Sequence, residues 1–493
     1  MTFASRALGL ALTLSASLAL GGCGSADDSS IAVDVIGDSA APFETGPRLS
    51  LAGQLARGAS VEGLVAFDAE GRVVPALADR WIVTDEGQSY VFRLRDGSWP
   101  DGSTITGEGA RDALRQAVAG LRGTALGLDL DPVSDIRAMA GRVVEIRLSR
   151  PVPDLLDILA QPEMGLTRRG KGTGPLRLSR EGTLALLKPI PPEKRGMPKL
   201  SDWAERARQV RLHALPAKGA ITRYVDGDVD IVLGGQLEDY PLALQAAGLS
   251  HRGLVLDPVR GLFGLAVTRG EGVLTSAEAR EALAMAIDRE ALAADLGIQD
   301  WQPTTRILPV SADGAASTIG ERWTSADMAR RRAEAAARLA RANGKGKAPL
   351  QWRIALPRGP GADLLFNRLS TDLKAVGVSL RRVGEAEAAE LRLFDAVARY
   401  GGADWYFNQL ACAAGRGLCS ASADARVAEA RAATDPARRA ALLAEAEAEL
   451  TAANSFIPLG SPLRWSLVRN LADGFAANAR GYHPLSALAV KPK

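Results

Sequence analysis

The chain has 493 residues, enough for two or three domains of ordinary size. Hydrophobic residues make up 47% and charged residues 24%, a globular balance that argues against a disordered or fibrous chain. Its 60 basic and 57 acidic residues are interspersed, so the formal charge of +3 gathers into no polyanion-binding face and nucleic acid is not an expected partner.

The first 22 residues have the form of a targeting segment. Arg6 supplies the positive end, Ala7 to Leu20 the apolar core, and Leu20-Gly21-Gly22 precedes Cys23. A small-residue run ending in Cys has the form of a lipoprotein cleavage site, which makes Cys23 the lipidated first residue of the mature chain. An ordinary signal peptide or a short membrane helix is the alternative, but the apolar core is shorter than the roughly 20 residues that span a bilayer. Residues 23–30, small and acidic, are expected to form a tether.

From Val61 the pattern becomes structural. Tyr90-Val91-Phe92-Arg93-Leu94-Arg95 alternates as a strand with one buried face. Asp85-Glu86-Gly87, Asp96-Gly97 and Asp101-Gly102 are turn signals around it. Thr106 is placed to cap a helix whose apolar face holds Ala110, Leu114, Ala117 and Val118. Glu62-Gly63-Leu64, Asp68, Gly71, Pro75, Leu77-Ala78, Trp81, Tyr90, Phe92, Leu94-Arg95, Asp101-Gly102 and Thr106 fall in an order and spacing that resembles the first segment of the extracytoplasmic solute-binding proteins of family 5, the peptide/nickel/oligopeptide class. The acidic residue that usually closes this pattern is displaced, since Gly109 follows Glu108.

Further elements follow in order. Arg142 to Leu148 alternates as a strand, and Pro153 to Leu159 is expected as a short helix. Gly172-Thr173-Gly174-Pro175 resembles the family's G-T-G-P segment and lacks the basic helix start of a phosphate loop. Val210 to Leu215 is a strand, and Asp226, Asp228 and Asp230 are solvated turn and strand-edge acids without the terminal Glu of a calcium loop. Leu262 to Val267 is an apolar strand, and Ala277 to Leu292 is expected as one amphipathic helix resembling a second family signature, V-R-q-A-l-x-x-A-i-D-r. Met328 to Asn343 is a helix ended by Gly344-Lys345-Gly346-Lys347. Trp352 to Pro357, Asp363 to Val376 and Val378 to Val383 then form a strand–helix–strand unit with parallel strands. Thr434-Asp435-Pro436 opens a long helix to Leu450, a third resemblance, and Phe456 to Leu459 is a strand.

Cys412 and Cys419 enclose a six-residue loop with two glycines. In an oxidising compartment this pair suits a disulfide; free thiols or a metal site remain open, although His213, His251 and His483 are scattered. Tyr400-Gly401-Gly402-Ala403-Asp404-Trp405-Tyr406 resembles the family's W-x-A-D-Y stretch, whose Asp pairs with a peptide α-ammonium. The resemblance implies that Asp404 binds the ligand, with Trp405, Tyr406 and Tyr400 as flat walls, or else that Asp404 caps a loop. The D-P-D that often follows is replaced by Tyr406-Phe407-Asn408.

The resemblance implies an α/β chain with a bilobal fold like that of type II periplasmic binding proteins and an additional small inserted domain. Lobe I is expected from 31–62, 173–260 and 458–493, the inserted domain from 63–172, and lobe II from 261–457. Crossings between lobes are expected near Asp257–Phe263 and Ile457–Gly460. The function implied is that of the substrate-binding lipoprotein of an ABC importer, a monomer anchored in the periplasmic space. It would hold a small peptide or peptide-like solute and meet ABC permease and ATPase subunits, with no metal, cofactor or catalytic residue. A signalling or scaffold lipoprotein of the same fold is one alternative. An extracytoplasmic hydrolase is another, and no nucleophile motif or metal signature supports it.

Overall fold

The computed structural model describes residues 29–248, 251–309, 312, 319–344 and 347–491. The leader, Cys23 and most of the expected tether lie outside them, as do Lys345 and Gly346. Three sheets organise the chain. The first has seven strands, in the order Leu254–Leu256, Trp465–Val468, Ile231–Gly235, Ser30–Ile36, Gln209–Leu215, Leu184–Pro189 and Leu176–Glu181. Its three central strands run parallel, with Ser30–Ile36 between the other two, and antiparallel strands flank them. The second has five strands, Val378–Val383, Leu350–Ala355, Leu391–Val397, Gly261–Val267 and Phe456–Gly460, again with a parallel part. The third is a four-stranded antiparallel sheet of Ala78–Thr84, Ser89–Leu94, Val143–Leu148 and Val133–Met139. Parallel pairs need helical crossovers, and Ala217–Asp226 and Pro360–Lys374 supply them in the two mixed sheets.

The residues that carry the sequence resemblance around position 62 serve the frame. Glu62 and Arg95 form a buried ion pair, and Arg195 Nη2 adds a second at 2.8 Å. A carboxylate and guanidiniums removed from water must find each other, because leaving any one unpaired costs several kcal/mol. Thr106 caps the helix Gly107–Gly120, its hydroxyl accepting from Gly109 N at 3.1 Å. The third sheet is not a separate core. Phe92, Leu94, Trp99 and Leu114 belong to one apolar cluster with Trp405, Tyr406 and Phe407 of the helix Ala403–Leu410.

Two expectations are corrected. The stretch expected as one helix over Ala277 to Leu292 is two, Ala277–Ala286 and Arg289–Leu296. Asp288 leaves the helical backbone and accepts from Ala291 N at 3.0 Å, capping the second, while buried Arg289 donates to Pro458 O at 2.8 Å and Ala284 O at 3.0 Å. The second crossing also lies later than expected. Residues 456 to 460 pair with Gly261–Val267 as a strand of the second sheet, so the chain returns to the first sheet over 461–464. The outward crossing runs over 257–260. There buried Asp257 accepts from Asn478 N at 2.9 Å and lies 3.0 Å from His483 Nε2, tying the crossing to the C-terminal segment.

Candidate functional site

The strands of the two mixed sheets end facing one another. Gly234 and Gln236 stand at the carboxyl end of Ile231–Gly235, and Val397, Ala398 and Arg399 at the carboxyl end of Leu391–Val397. In open α/β sheets this is where ligands bind. The space between holds two adjoining cavities that share Val397 and Arg399 as a wall. One, of about 230 Å³, is lined by Gln54, Phe67, Gln161, Arg464 and Tyr482 among others. The other, of about 380 Å³, is lined by Arg48, Leu126, Glu163, Trp405, Gln409 and Arg416 among others.

Polar groups meet here from all three sheets. Gln54 Nε2 donates to Glu163 Oε1 at 3.2 Å, and Arg399 Nη1 lies 3.4 Å from Glu163 Oε2. Arg464 grips Asp395 with both nitrogens at 2.9 Å, beside the return crossing. Arg480 pairs with Asp157 and donates to Arg399 O at 2.5 Å. The Trp405 Nε1 has no hydrogen-bond partner although the side chain is buried. An indole N–H hidden from water normally finds a partner, so this one is an uncompensated donor packed behind the cavity wall.

Of the four residues expected at the ligand, Trp405 lines one of these two cavities and Asp404, Tyr406 and Tyr400 line neither. Asp404 is already engaged: Arg431 lies at 3.2 Å, Arg439 at 3.5 Å and Arg150 at 3.8 Å from its carboxylate. Three guanidiniums around one carboxylate leave no surplus negative charge to select an ammonium. Tyr406 is buried edge-on against Trp405, with ring centres 4.9 Å apart. Buried Tyr400 donates to Asp129 Oδ1 at 2.8 Å, and Asn408 Nδ2 donates to the same atom at 2.7 Å. Burial raises the Asp129 carboxyl to about 6, against these two stabilising hydrogen bonds. That trio joins the helix Ala403–Leu410 to the helix Ala125–Leu130 and so holds Trp405 in place from behind.

Cys412 and Cys419 are joined as a disulfide, Cα to Cα 5.1 Å, which closes the loop that carries Arg416. No three of His, Cys, Asp and Glu come together in a metal-binding group among the described residues. The sequence reading missed Gln54, Gln161, Glu163, Arg399, Arg416 and Arg464. Arg399 adjoins the stretch it did single out, and Arg416 lies inside the cysteine loop; the others come from segments with no local signature.

Two mixed α/β lobes joined by two crossings, with the cavities between them, make a bilobal fold like that of type II periplasmic binding proteins. No family model matches the chain. The periplasmic oligopeptide-binding protein OppA of Escherichia coli is 23% identical over 461 residues, 84% of each chain. A probable deoxycholate-binding periplasmic protein, YgiS of Escherichia coli, is 33% identical over 21% of this chain and 23% of its own length. Haemophilus influenzae OppA in complex with RPPGFSPFR superposes with a TM-score of 0.81 at 18% identity, over 94% of this chain and 99% of that one. The murein tripeptide binding protein MppA of Escherichia coli superposes at 0.79 and 17% identity, over 95% and 99%. Over most of its length the chain is thus similar in sequence to a periplasmic oligopeptide-binding protein and in fold to this group of solved structures.

Proposed function

We propose that this protein captures a peptide or peptide-like solute between its lobes and delivers it to the permease of an ABC importer. The observation that carries this reading is the pair of adjoining cavities at the facing strand ends, sharing Val397 and Arg399 as a wall. Their sizes suit a small solute rather than a macromolecule. The alignment with OppA along most of both chains supports peptide import, as does superposition on a peptide complex. In this reading Cys23 carries the lipid, the mature chain works in the periplasmic space as a monomer, and its segments 31–62, 173–260 and 461–493 move against 261–460. Trp405 contacts the solute directly, while Asp404, Tyr400 and Tyr406 set its position. Binding must favour the closed arrangement, since a ligand with equal affinity for open and closed states shifts neither.

A thermal-shift screen of the purified mature protein tests this against di- to pentapeptides, nickel chelates and haem. A saturable rise in melting temperature with peptides, at one-to-one stoichiometry, is the expected outcome. Absence of any shift across all three classes would count against import of this family's cargo.

A further inference from the structure

The second cavity is rich in donors and poor in acceptors. Arg48, Arg399 and Arg416 line it together with Gln409 and the buried Trp405 ring. Glu163 is its one acidic residue. That carboxylate is already shared, because Arg399 lies 3.4 Å away, Gln54 donates to it, and its charge also acts on Arg57. In the first cavity the arginines are matched: Arg464 by Asp395 and Arg480 by Asp157.

Arg416 is held in a definite pose without a carboxylate. Its guanidinium lies over the Phe394 ring, 4.5 Å from the centre, and Nη2 donates to Gln409 Oε1 at 2.5 Å. Protein surroundings and the neighbouring Arg399 both pull its pKa down, and no carboxylate offsets them. Stacking on one face and an amide on one edge leave its remaining N–H groups for the cavity. The Cys412–Cys419 disulfide closes the loop from which it reaches in. Gln409 is buried, and because its Oε1 faces Arg416 its NH₂ is a further donor.

We infer that the solute is an anion, received through a carboxylate by Arg399 and Arg416 with the Gln409 amide beside them. This rests on the reading of the interlobe cavities as the ligand site and narrows its chemistry. A planar guanidinium offers paired N–H groups that match a carboxylate's two oxygens, and such charge-assisted bonds are about twice as strong as neutral ones. An ammonium placed in the same space would face guanidiniums and would find Asp404 outside the cavities and ringed by three arginines.

Isothermal titration of the purified mature protein tests this with four probes: acetyl-triglutamate, trialanine, trilysine amide and the non-peptide dicarboxylate glutarate. The expected result is saturable binding of an acidic probe, at least tenfold tighter than trilysine amide and weakened by added salt. Arg416→Gln should lower acidic-probe affinity about tenfold or more, and Arg416→Lys should restore part of it, with unliganded melting temperatures unchanged. Binding of trilysine amide as tight as that of the acidic probes overturns the inference and leaves peptide import standing, whereas trialanine, which keeps one carboxylate, should bind more tightly than trilysine amide. Binding of glutarate with none of the peptides upholds the inference and removes the peptide reading. No binding of either acidic probe up to 10 mM, or full affinity in Arg416→Gln, overturns it.

Discussion

Asp129 shows how one buried side chain can serve the site at a cost to the fold. It is 4% exposed, Oδ1 accepts from Tyr400 and Asn408, and Oδ2 has no hydrogen-bond partner. Burial lifts its carboxyl from 3.8 to about 6. Between those values the folded chain holds a proton that the unfolded chain has released, so stability falls as pH rises through that window and is level above it. Asp129→Asn keeps an acceptor for both donors and removes the buried charge. It should therefore stabilise the protein by about 2 kcal/mol at pH 7.5, an advantage that disappears near pH 4. Denaturant unfolding at the two pH values checks this, and equal stability of variant and parent at both would refute it. Single residues were unevenly legible. Glu62 and Arg95 stood out only as members of the resembling pattern, and the ion pair between them, 33 residues apart, had no local sign. Asp404 stood out equally, yet the guanidiniums around it lie 27 and more residues away and on another segment, so its neutralisation could not be read locally.

Elements with a single buried face were plain in the sequence. The strands around Tyr90, Val143, Val210 and Leu262 and the helices from Met328 and Pro436 stand where period and caps put them. The one broken helix failed because apolar periodicity continued through Ile287 and Asp288, while the stop came from Asp288 capping forward and from Arg289 reaching the strand Phe456–Gly460. The cysteine loop is the element that carries Arg416 to the proposed ligand site. Closing so short a loop contributes about 2–3 kcal/mol through the unfolded chain. A Cys412→Ser, Cys419→Ser variant should lose that amount in denaturant unfolding. It should also bind acidic solutes several-fold more weakly, since Arg416 would have to be ordered on binding. Unchanged stability and affinity, with the parent shown to be oxidised, would make the loop irrelevant to both.

At the scale of the whole molecule, what no local pattern revealed is how the three sheets share their cores. Helices of the second lobe complete the core of the third sheet, and the face of the first sheet covered by Ala217–Asp226 packs into the second lobe. The lobes approach closely where the helix Pro360–Lys374 begins. A Cβ added at Gly361 would stand 1.9 Å from Leu237 O, and one at Gly359 2.5 Å from Glu238 O. Leu237 and Glu238 follow a strand of the first sheet, whereas Gly361 follows one of the second, so these glycines set how near the lobes come. Gly361 has a helical backbone that alanine adopts more readily than glycine, so the only penalty of Gly361→Ala is the collision across the lobe boundary. Separation of the lobes relieves that collision. The variant should thus populate an open form, and affinity should fall in proportion to the closed fraction it loses, tenfold if only a tenth remains closed. Small-angle scattering of the unliganded variant should report a larger radius of gyration than the parent, returning toward it when saturated with ligand. Parent-like scattering together with parent-like affinity would mean that these lobes do not need the contact at Gly361 to close, and the cavities would then be fixed features of one rigid body.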